Sequence, residues 1–281
     1  MSVAPHVTEN PATETFTGPV IEFQDVHLGF EEGEILKGFS FHVPQHETKV
    51  LIGESGTGKT LTMKLAAGLL QPDSGHVLFS GRDLSKLSEE ELFVFRRRIG
   101  FVFQEGALFD SLSVEENVAY RLHEEGQDED KIEARVSEVL KFVEMSDAID
   151  RMPSDLSGGM RRRVSIARAL ASSPDVVFYD SPTAGLDPVT SQTIITLLLR
   201  LRDTQGVTAL LATHRLQDAF AMANYRFDPK TSRILPFTKD ESARDVGEIS
   251  FLLLRDGKVY FEGTPQEVLD SQDPYLKKFL V

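Results

Sequence analysis

The chain has 281 residues and a mass of 31.3 kDa, enough for one large domain or two small lobes with a sizeable buried core. Its net charge of −14 and pI near 5.0 argue against a broad electrostatic footprint on nucleic acid or anionic lipid. The absence of cysteine excludes disulfides, thiolate metal sites and cysteine nucleophiles.

The N-terminal segment, residues 1–18, is predicted to be a flexible tail, and residues 19–281 to form the folded domain. The tail is rich in Pro, Thr and Glu and lacks the basic-then-apolar order of a secretory signal. Nowhere does the chain have 18 consecutive apolar residues, so we expect no membrane span. Two arginine-rich motifs, FRRR (Phe95–Arg98) and MRRR (Met160–Arg163), are candidates for a local basic patch.

The first third of the chain predicts strands and two helices. VIEFQDVHLGF and ILKGFSFHV alternate β-branched and aromatic residues with polar ones, which predicts two antiparallel strands. TKVLIG predicts a buried strand, and KTLTMKLAAGLL, starting at Lys59, has helical spacing. A strand (HVLFSGRDL), a helix with Ser88 as N-cap (SEEELFVFRRR) and another strand (IGFVFQ) follow.

The pattern becomes helical between about Gly106 and Met160, which predicts an inserted helical lobe over 106–160. Strand–helix alternation then resumes with DVVFYD, PVTSQTIITLLLRLRDT, VTALLAT and RLQDAFAMA. The polar stretch at about 225–248 is interpreted as an exposed excursion. ISFLLLRDGKVYFEG predicts a hairpin that turns at Asp256-Gly257, followed by two short helices.

The segment GESGTGKT fits the phosphate-binding loop pattern and stands between a predicted strand and a predicted helix. Glycines let the backbone N–H groups curl around phosphate oxygens, and the helix N-terminus adds a favourable partial charge. We expect Lys59 to reach the β- and γ-phosphates and Thr60 to ligate magnesium. The predicted nucleotide contacts are Gly53, Glu54, Ser55, Gly56, Thr57, Gly58, Lys59 and Thr60.

Three further motifs are ambiguous when taken singly. A predicted helix begins at Ser157, Gly158 and Gly159. These residues are either a second anion-binding site at a helix N-terminus or an ordinary N-cap. Asp180 ends the apolar run VVFYD, which suits a magnesium ligand or a plain strand end. His214 ends the run LLATH, and a lone histidine is more often structural than functional.

In this order and spacing, the motifs resemble those of the nucleotide-binding subunit of an ATP-binding-cassette (ABC) transporter, over Val20 to Val281. The resemblance implies an α/β fold of the P-loop NTPase class: a RecA-like mixed sheet, an antiparallel β subdomain and an inserted helical subdomain. It implies ATP and Mg²⁺ as cofactors. It also implies a homodimer in which each ATP is sandwiched between the phosphate loop of one subunit and the Leu156–Met160 signature of the other.

The resemblance further implies roles for single residues. Phe30 would stack on adenine, with a core phenylalanine as the alternative. Gln104 would meet magnesium and the attacking water, and would link the site to a membrane partner. Asp180 would coordinate magnesium, Asp187 would end the dimer-contact loop AGLD, and His214 would sense the γ-phosphate.

Ser181 occupies the catalytic position where this family normally carries the glutamate that activates water. Serine cannot act as a general base near neutral pH, and losing such a base typically costs about 10²–10⁴-fold in rate. Three explanations stay open: slow natural turnover with Gln104 and His214 holding the water, another carboxylate such as Glu105, or a serine introduced to trap ATP. Arg215 also departs from the family, where an acidic residue often follows the histidine. The rival function is an ATP-dependent clamp that barely turns over.

GALFDSLSV, within Phe103–Glu124, and the ending SQDPYLKKFL resemble the ATPases of Mce/Mla-type lipid transport across bacterial envelopes. Many ABC ATPases for amino acids share much of the first stretch, so another small-molecule cargo is the alternative. Transport implies transmembrane permease subunits as partners, a place on the cytoplasmic face of the bacterial inner membrane, and no nucleic-acid partner. A groove between Gln104 and the helical lobe would receive the permease's coupling helix. A soluble ABC ATPase without a permease is disfavoured, because such proteins usually carry two cassettes and this chain has one phosphate loop and one signature.

Overall fold

The computed structural model describes residues 16–237 and 248–280. Its strands are β1 (Ile21–Phe30), β2 (Gly33–Val43), β3 (Thr48–Ile52), β4 (Ser74–Phe79), β5 (Arg82–Asp83), β6 (Ile99–Val102), β7 (Val176–Asp180), β8 (Thr208–Ala212), β9 (Tyr225–Asp228), β10 (Arg233–Pro236), β11 (Ile249–Arg255) and β12 (Lys258–Gly263). Its α-helices are α1 (Lys59–Ala66), α2 (Glu89–Arg96), α3 (Val114–Glu124), α4 (Glu129–Phe142), α5 (Gly158–Ala171), α6 (Pro188–Gln205), α7 (Leu216–Asn224), α8 (Pro265–Asp270) and α9 (Pro274–Leu280).

A six-stranded sheet, in the order β12-β11-β3-β8-β7-β6, lies at the centre of the molecule. All neighbours are parallel except β12, which is antiparallel to β11. Every residue of β3, β7 and β8 is buried, which explains why these strands have almost uninterrupted apolar sequences. Because parallel strands end at the same edge of a sheet, the phosphate loop, Asp180 and His214 emerge together there.

A four-stranded antiparallel sheet, in the order β2-β1-β4-β5, forms a second layer. The predicted pairing of the first two strands is confirmed, with Ile21 opposite Val43. Phe23 stacks on Phe41 with ring centroids 4.7 Å apart, and both rings are buried. The mixed main sheet and this antiparallel sheet together confirm the predicted fold class.

The region between β6 and β7 contains α3, α4 and α5, which pack on one another. Helix α3 begins with a capping box in which Ser113 and Glu116 satisfy each other's backbone N–H groups. Helix α5 begins near the end of the predicted lobe and runs on against β6, so it connects the helical region to the main sheet. No helix in residues 16–237 or 248–280 is long and apolar enough to cross a membrane.

The predicted polar excursion contains two strands that sequence reasoning missed. β9 and β10 form an antiparallel hairpin, with Asp228 opposite Arg233. The hairpin packs on α6, where the Arg200 guanidinium lies 5.6 Å from the ring centroid of Phe227 and 4.5 Å from that of Phe142. One cation therefore joins the hairpin to the end of α4. Residues 238–247 of the excursion and 1–15 of the predicted tail lie outside the described residues.

The C-terminal hairpin turns at Asp256-Gly257, as predicted. Arg255 is paired with Lys258 across the turn, and the two turn residues have φ of 53° and 81°. Positive φ at both central residues is what a tight two-residue hairpin requires, and Asp-Gly is a favoured pair for it.

Phe178 lies at the centre of β7, two residues before Asp180. Its replacement tests the packing that supports Asp180 at the carboxyl end of that strand. It has no exposed surface and contacts Phe101 edge to face, with centroids 5.8 Å apart. Phe178→Ala should lower the free energy of unfolding by about 3–5 kcal/mol, because it removes a buried ring and leaves a cavity. Urea denaturation followed by circular dichroism measures this change.

The control for that experiment is Val189→Ala, which truncates a side chain that is 78% exposed. It should change the free energy of unfolding by less than about 0.5 kcal/mol. A loss below about 1 kcal/mol for Phe178→Ala would contradict the packing described for β7.

Candidate active site

The loop from Gly53 to Thr60 joins β3 to α1 and folds around the side chain of Lys59. Lys59 Nζ donates to the carbonyl oxygens of Gly53 and Glu54, at 2.8 and 2.7 Å. Burial lowers the pKa of Lys59, while the nearby charge of Asp180 opposes that shift. Gly58 has φ of 100°, and a Cβ there would lie 2.9 Å from Leu36 Cδ2, so a larger residue is disfavoured. The loop therefore presents an ammonium group and a helix N-terminus together.

Asp180 ends β7 and faces the first turn of α1. Thr60 Oγ1 donates to Asp180 Oδ2 at 2.8 Å, and Asp180 is 6% exposed. A hydroxyl and a carboxylate are hard oxygen ligands of the kind that Mg²⁺ prefers, and Mg²⁺ commonly takes its other ligands from water and substrate phosphates. The described residues include no group of three or more His, Asp and Glu that could hold a metal alone. The donors fit a magnesium ion that phosphate oxygens and water complete.

A cavity of about 460 Å³ connects these groups. Its lining residues are Ile35, Ser55, Gly56, Gly58, Lys59, Thr60, Leu61, Gln104, Asp180, Ser181 and His214. Predicted phosphate, metal and catalytic residues thus share one cavity, although they follow β3, β6, β7 and β8, which are distant in sequence. Sequence reasoning missed Ile35 and Leu61, because an apolar wall residue looks the same as a core residue in sequence.

Some predicted residues of the phosphate loop shape it without lining the cavity. Gly53 and Glu54 supply the carbonyl oxygens that hold Lys59, and Thr57 Oγ1 donates to the Glu54 carbonyl at 3.0 Å. Phe30 lies at the end of β1 opposite Gly33, outside the cavity, and is 54% exposed. The exposed ring is not part of the core, which removes the structural alternative considered for it.

The signature residues and Asp187 also lie outside the cavity. Ser157 caps α5 by accepting from the Met160 N–H at 3.2 Å, and Asp187 caps α6. A Cβ on Gly159 would lie 2.3 Å from Thr190 Cγ2, so glycine permits the close approach of α5 to α6. In one chain, therefore, residues 157–159 pack beside the predicted dimer-contact loop and do not line the cavity of the phosphate loop.

Ser181 follows Asp180 in a left-handed conformation, with φ of 49°. It is 9% exposed, its N–H donates to the Ala212 carbonyl at 2.9 Å, and its hydroxyl lies 3.5 Å from Asp180 Oδ1. Asp180 is the acidic side chain among the cavity-lining residues. Glu105, the suggested substitute base, is exposed and does not line the cavity.

The arginine-rich motifs do not form the basic patch that the sequence suggested. Arg162 is 4% exposed and donates to the carbonyl oxygens of Phe103, at 2.5 Å, and Gln104. Arg161 donates to the Leu156 carbonyl at 2.6 Å, and Arg98 pairs with Asp175. Burial lowers the pKa of Arg162, and the charges of Asp180 and Glu105 oppose that shift. Arg162 thus connects α5 to the backbone of Gln104, a contact across some sixty residues that the sequence did not reveal.

A second cavity, of about 370 Å³, lies between the segment after β6 and helix α3. Its lining residues are Ala67, Leu69, Arg96, Ile99, Gly100, Phe101, Phe103, Ala107, Phe109, Tyr120, Arg121, Arg168 and Ala169. The rings of Phe109 and Tyr120 are each 43% exposed, with centroids 4.7 Å apart. This groove lies close to where the sequence predicted one, although Gln104 itself is not part of its lining.

Comparison with known proteins gives relatives over most of the chain. The family described as ABC transporter matches residues 36–184. The intermembrane phospholipid transport system ATP-binding protein MlaF of Haemophilus influenzae is 34% identical, over 90% of this chain and 88% of its own. Protein TRIGALACTOSYLDIACYLGLYCEROL 3 of Arabidopsis thaliana is 37% identical, over 92% of this chain and 73% of its own. The methionine import ATP-binding protein MetN of Brucella abortus is 38% identical, over 75% of this chain and 56% of its own.

Solved structures agree with these relatives. The ATP-binding cassette MJ0796, a dimer in a post-hydrolysis state bound to ADP and Pi, aligns with a TM-score of 0.72 at 28% identity, over 87% of this chain and 98% of its own. The cbiO1 protein of Clostridium perfringens, part of an ABC transporter complex, aligns with a TM-score of 0.75 at 26% identity, over 93% of this chain and 95% of its own. The chain therefore belongs to the ABC transporter family, as an ATPase subunit of such transporters.

Proposed function

We propose that the chain binds Mg²⁺–ATP in the 460 Å³ cavity and hydrolyses it slowly, with residues 19–281 as one cassette and about 106–160 as its inserted helical subdomain. The observation that carries this proposal is the single cavity that Lys59, Asp180 and His214 share. Thr60 and Asp180, with Gln104 at the rim, would hold Mg²⁺, which neutralises charge on the phosphate oxygens when bound. Lys59 would exchange its loop carbonyls for the β- and γ-phosphates, and Phe30 would contact the adenine.

The rate depends on how the attacking water is held. Because Ser181 supplies no carboxylate, the amide of Gln104 and the imidazole of His214 are left to orient the water by hydrogen bonds. The Gln104 amide is not a base, and neither group replaces the carboxylate that normally stands next to Asp180. Replacing a glutamate by serine also removes a negative charge beside the γ-phosphate, which favours ATP binding. Both effects lengthen the ATP-bound state.

Single-turnover hydrolysis, measured with the chain in its transporter complex, tests this proposal. Ser181→Glu should raise the rate by at least about 10²-fold, because it restores a base beside Asp180. Lys59→Ala should abolish turnover by removing the phosphate contact. Ser181→Ala is the matched control, and its rate should stay near that of the unchanged chain because the hydroxyl is not a base.

Each alternative has its own outcome in that experiment. If the unchanged chain hydrolyses no faster than Lys59→Ala, the chain is an ATP-dependent clamp. If it hydrolyses well above Lys59→Ala and Ser181→Glu adds little, another group acts as the base. Glu105→Gln then decides whether that group is Glu105.

We further propose that two copies form a dimer around two ATP molecules. Ser157 and Gly158 are exposed and lie outside their own chain's cavity, which leaves them available to the ATP of a second copy. An isologous pair would then combine each phosphate loop with the other copy's α5 N-terminus. Asp187 lies beside the signature and would belong to the same interface.

Light scattering after size-exclusion chromatography tests the dimer. Mg²⁺–ATP should double the apparent mass of the unchanged chain, since Ser181 slows the hydrolysis that would separate the copies. Ser157→Arg should keep it monomeric by placing a bulky side chain at the cap of α5. Ser154→Arg, which adds the same charge at an exposed position outside the cap, should still dimerise. Dimers of Ser157→Arg with ATP would rule out this arrangement.

For the cargo, we propose phospholipid or a related lipid. The GALFDSLSV stretch and the near full-length similarity to a phospholipid transport ATP-binding protein support this choice. The similarity to a methionine import protein covers 75% of the chain, so a small-molecule cargo such as an amino acid is the alternative. Either cargo places the chain at the cytoplasmic face of a bacterial inner membrane, bound to transmembrane permease subunits, without nucleic acid.

The 370 Å³ groove is the proposed docking site for the permease. Phe109 and Tyr120 offer an exposed apolar surface next to the segment that carries Gln104. Phe109→Asp should abolish both copurification with the permease and ATP-dependent movement of labelled phospholipid in vesicles containing the complex. Val94→Asp, at a position 60% exposed but outside the groove, is the control. Full transport by Phe109→Asp would overturn the docking site, and movement of methionine but not lipid would overturn the cargo.

A further inference from the structure

Four polar side chains form a connected series of contacts next to Ser181 and His214, which line the cavity. Thr183 Oγ1 donates to Asp218 Oδ2, and the same carboxylate oxygen lies 3.8 Å from Arg215 Nε. Arg215 Nη1 in turn donates to Ser191 Oγ at 2.8 Å. Thr183, Ser191 and Asp218 are 1%, 2% and 6% exposed, so water reaches the partly exposed Arg215 side chain but not the three groups that it connects.

These contacts connect the two segments that flank Ser181 and His214. Thr183 belongs to the loop of residues 181–187, and Ser191 follows that loop in the first turn of α6, with its Oγ 3.5 Å from the Leu186 carbonyl. Arg215 directly follows His214, and the Arg215 N–H donates to Thr213 Oγ1 at 3.0 Å. The Arg215 guanidinium therefore links the backbone around His214 to Ser191, just after the 181–187 loop, and through Asp218 to Thr183 inside it.

Arginine has two properties that this link requires. Its side chain reaches Ser191 across the space between α7 and α6, and its planar group has enough donors to face Ser191 and Asp218 together. Asp218 is buried, and a buried carboxylate needs partners. An acidic residue at 215 could cap α7 instead, but Arg215 makes no side-chain capping bond to that helix.

We propose that Arg215 is a positioning residue that couples the His214 segment to the 181–187 loop through Ser191 and Asp218. The inference rests on the proposed ATP hydrolysis for its functional consequence. Because Ser181 provides no base, turnover depends on where His214 holds the water, and the Arg215 link fixes that position relative to Ser181. In a cassette with a glutamate at 181, the same link would matter less for the rate.

Ser191→Ala is the sharpest probe, because it deletes one hydroxyl outside the nucleotide cavity. Arg215→Lys keeps the positive charge but loses the planar guanidinium with its several N–H donors, and Arg215→Gln removes the charge. Arg82→Gln is the control, since it breaks an exposed ion pair with Glu91, remote from this link. Each change is made in the complete chain, with Ser181 and with Ser181→Glu, so that at least one background has measurable turnover.

Two measurements decide the matter. Amide hydrogen exchange without nucleotide should rise in Ser191→Ala at both 181–187 and 213–216, but not in the phosphate loop. Single-turnover hydrolysis with Ser181 should fall about tenfold, the size that one hydrogen bond to a charged group supports, with ATP affinity unchanged. Ser191→Ala combined with Arg215→Gln should be no slower than Arg215→Gln alone, because the two changes break the same link.

The outcomes separate this inference from the proposed function. Unchanged exchange at 213–216 in Ser191→Ala overturns the link, whatever the ATPase rate. A rise in amide hydrogen exchange throughout the molecule would show a general structural role and would also overturn the link. The same conclusion follows if the rate losses of Ser191→Ala and Arg215→Gln multiply in the double variant. If the chain with Ser181 hydrolyses ATP no faster than Lys59→Ala, the proposed slow turnover fails, and the exchange data still decide the link.

Discussion

The hydrogen bond from Thr60 Oγ1 to Asp180 Oδ2 is the contact on which the geometry of the site depends. In the main sheet, β8 lies between β3 and β7, so the phosphate loop after β3 must reach past one strand to meet Asp180. The nearly buried carboxylate needs such a donor, because an unpaired charge there would be costly. This bond holds the start of α1 against the end of β7, and the cavity opens beside it, with Gln104 and His214 also in its lining.

The sequence could predict those parts of the site that depend on local patterns of consecutive residues. The runs ending at Ile52, Asp180 and Ala212 were recognisable because strands buried on both faces are almost continuously apolar. The phosphate loop was recognisable because its glycine spacing follows from the backbone conformation it must adopt. The resemblance of these motifs to the ABC family also implied roles at one nucleotide site for Lys59, Asp180 and His214.

What sequence did not reveal depends on contacts between distant residues. Arg162 looked like one member of a basic run, but its partners are backbone carbonyls on another element, which no local pattern encodes. The strands β9 and β10 have four residues each, too few to establish an alternating pattern among charged neighbours. Ser191 is an ordinary helix residue in sequence, and only the fold brings it against Arg215.

Arg200 has a mechanical consequence. Its guanidinium lies over rings from two separate parts of the fold, Phe142 at the end of α4 and Phe227 in the β9–β10 hairpin. The attraction between a cation and a ring face varies little when the ring slides or turns slightly, whereas a hydrogen bond weakens steeply with angle. Arg200 Nη1 also donates to the Phe142 carbonyl at 3.3 Å, so the directional contact is the one to the end of α4, and the contact to the hairpin is the one that tolerates small shifts of the Phe227 ring.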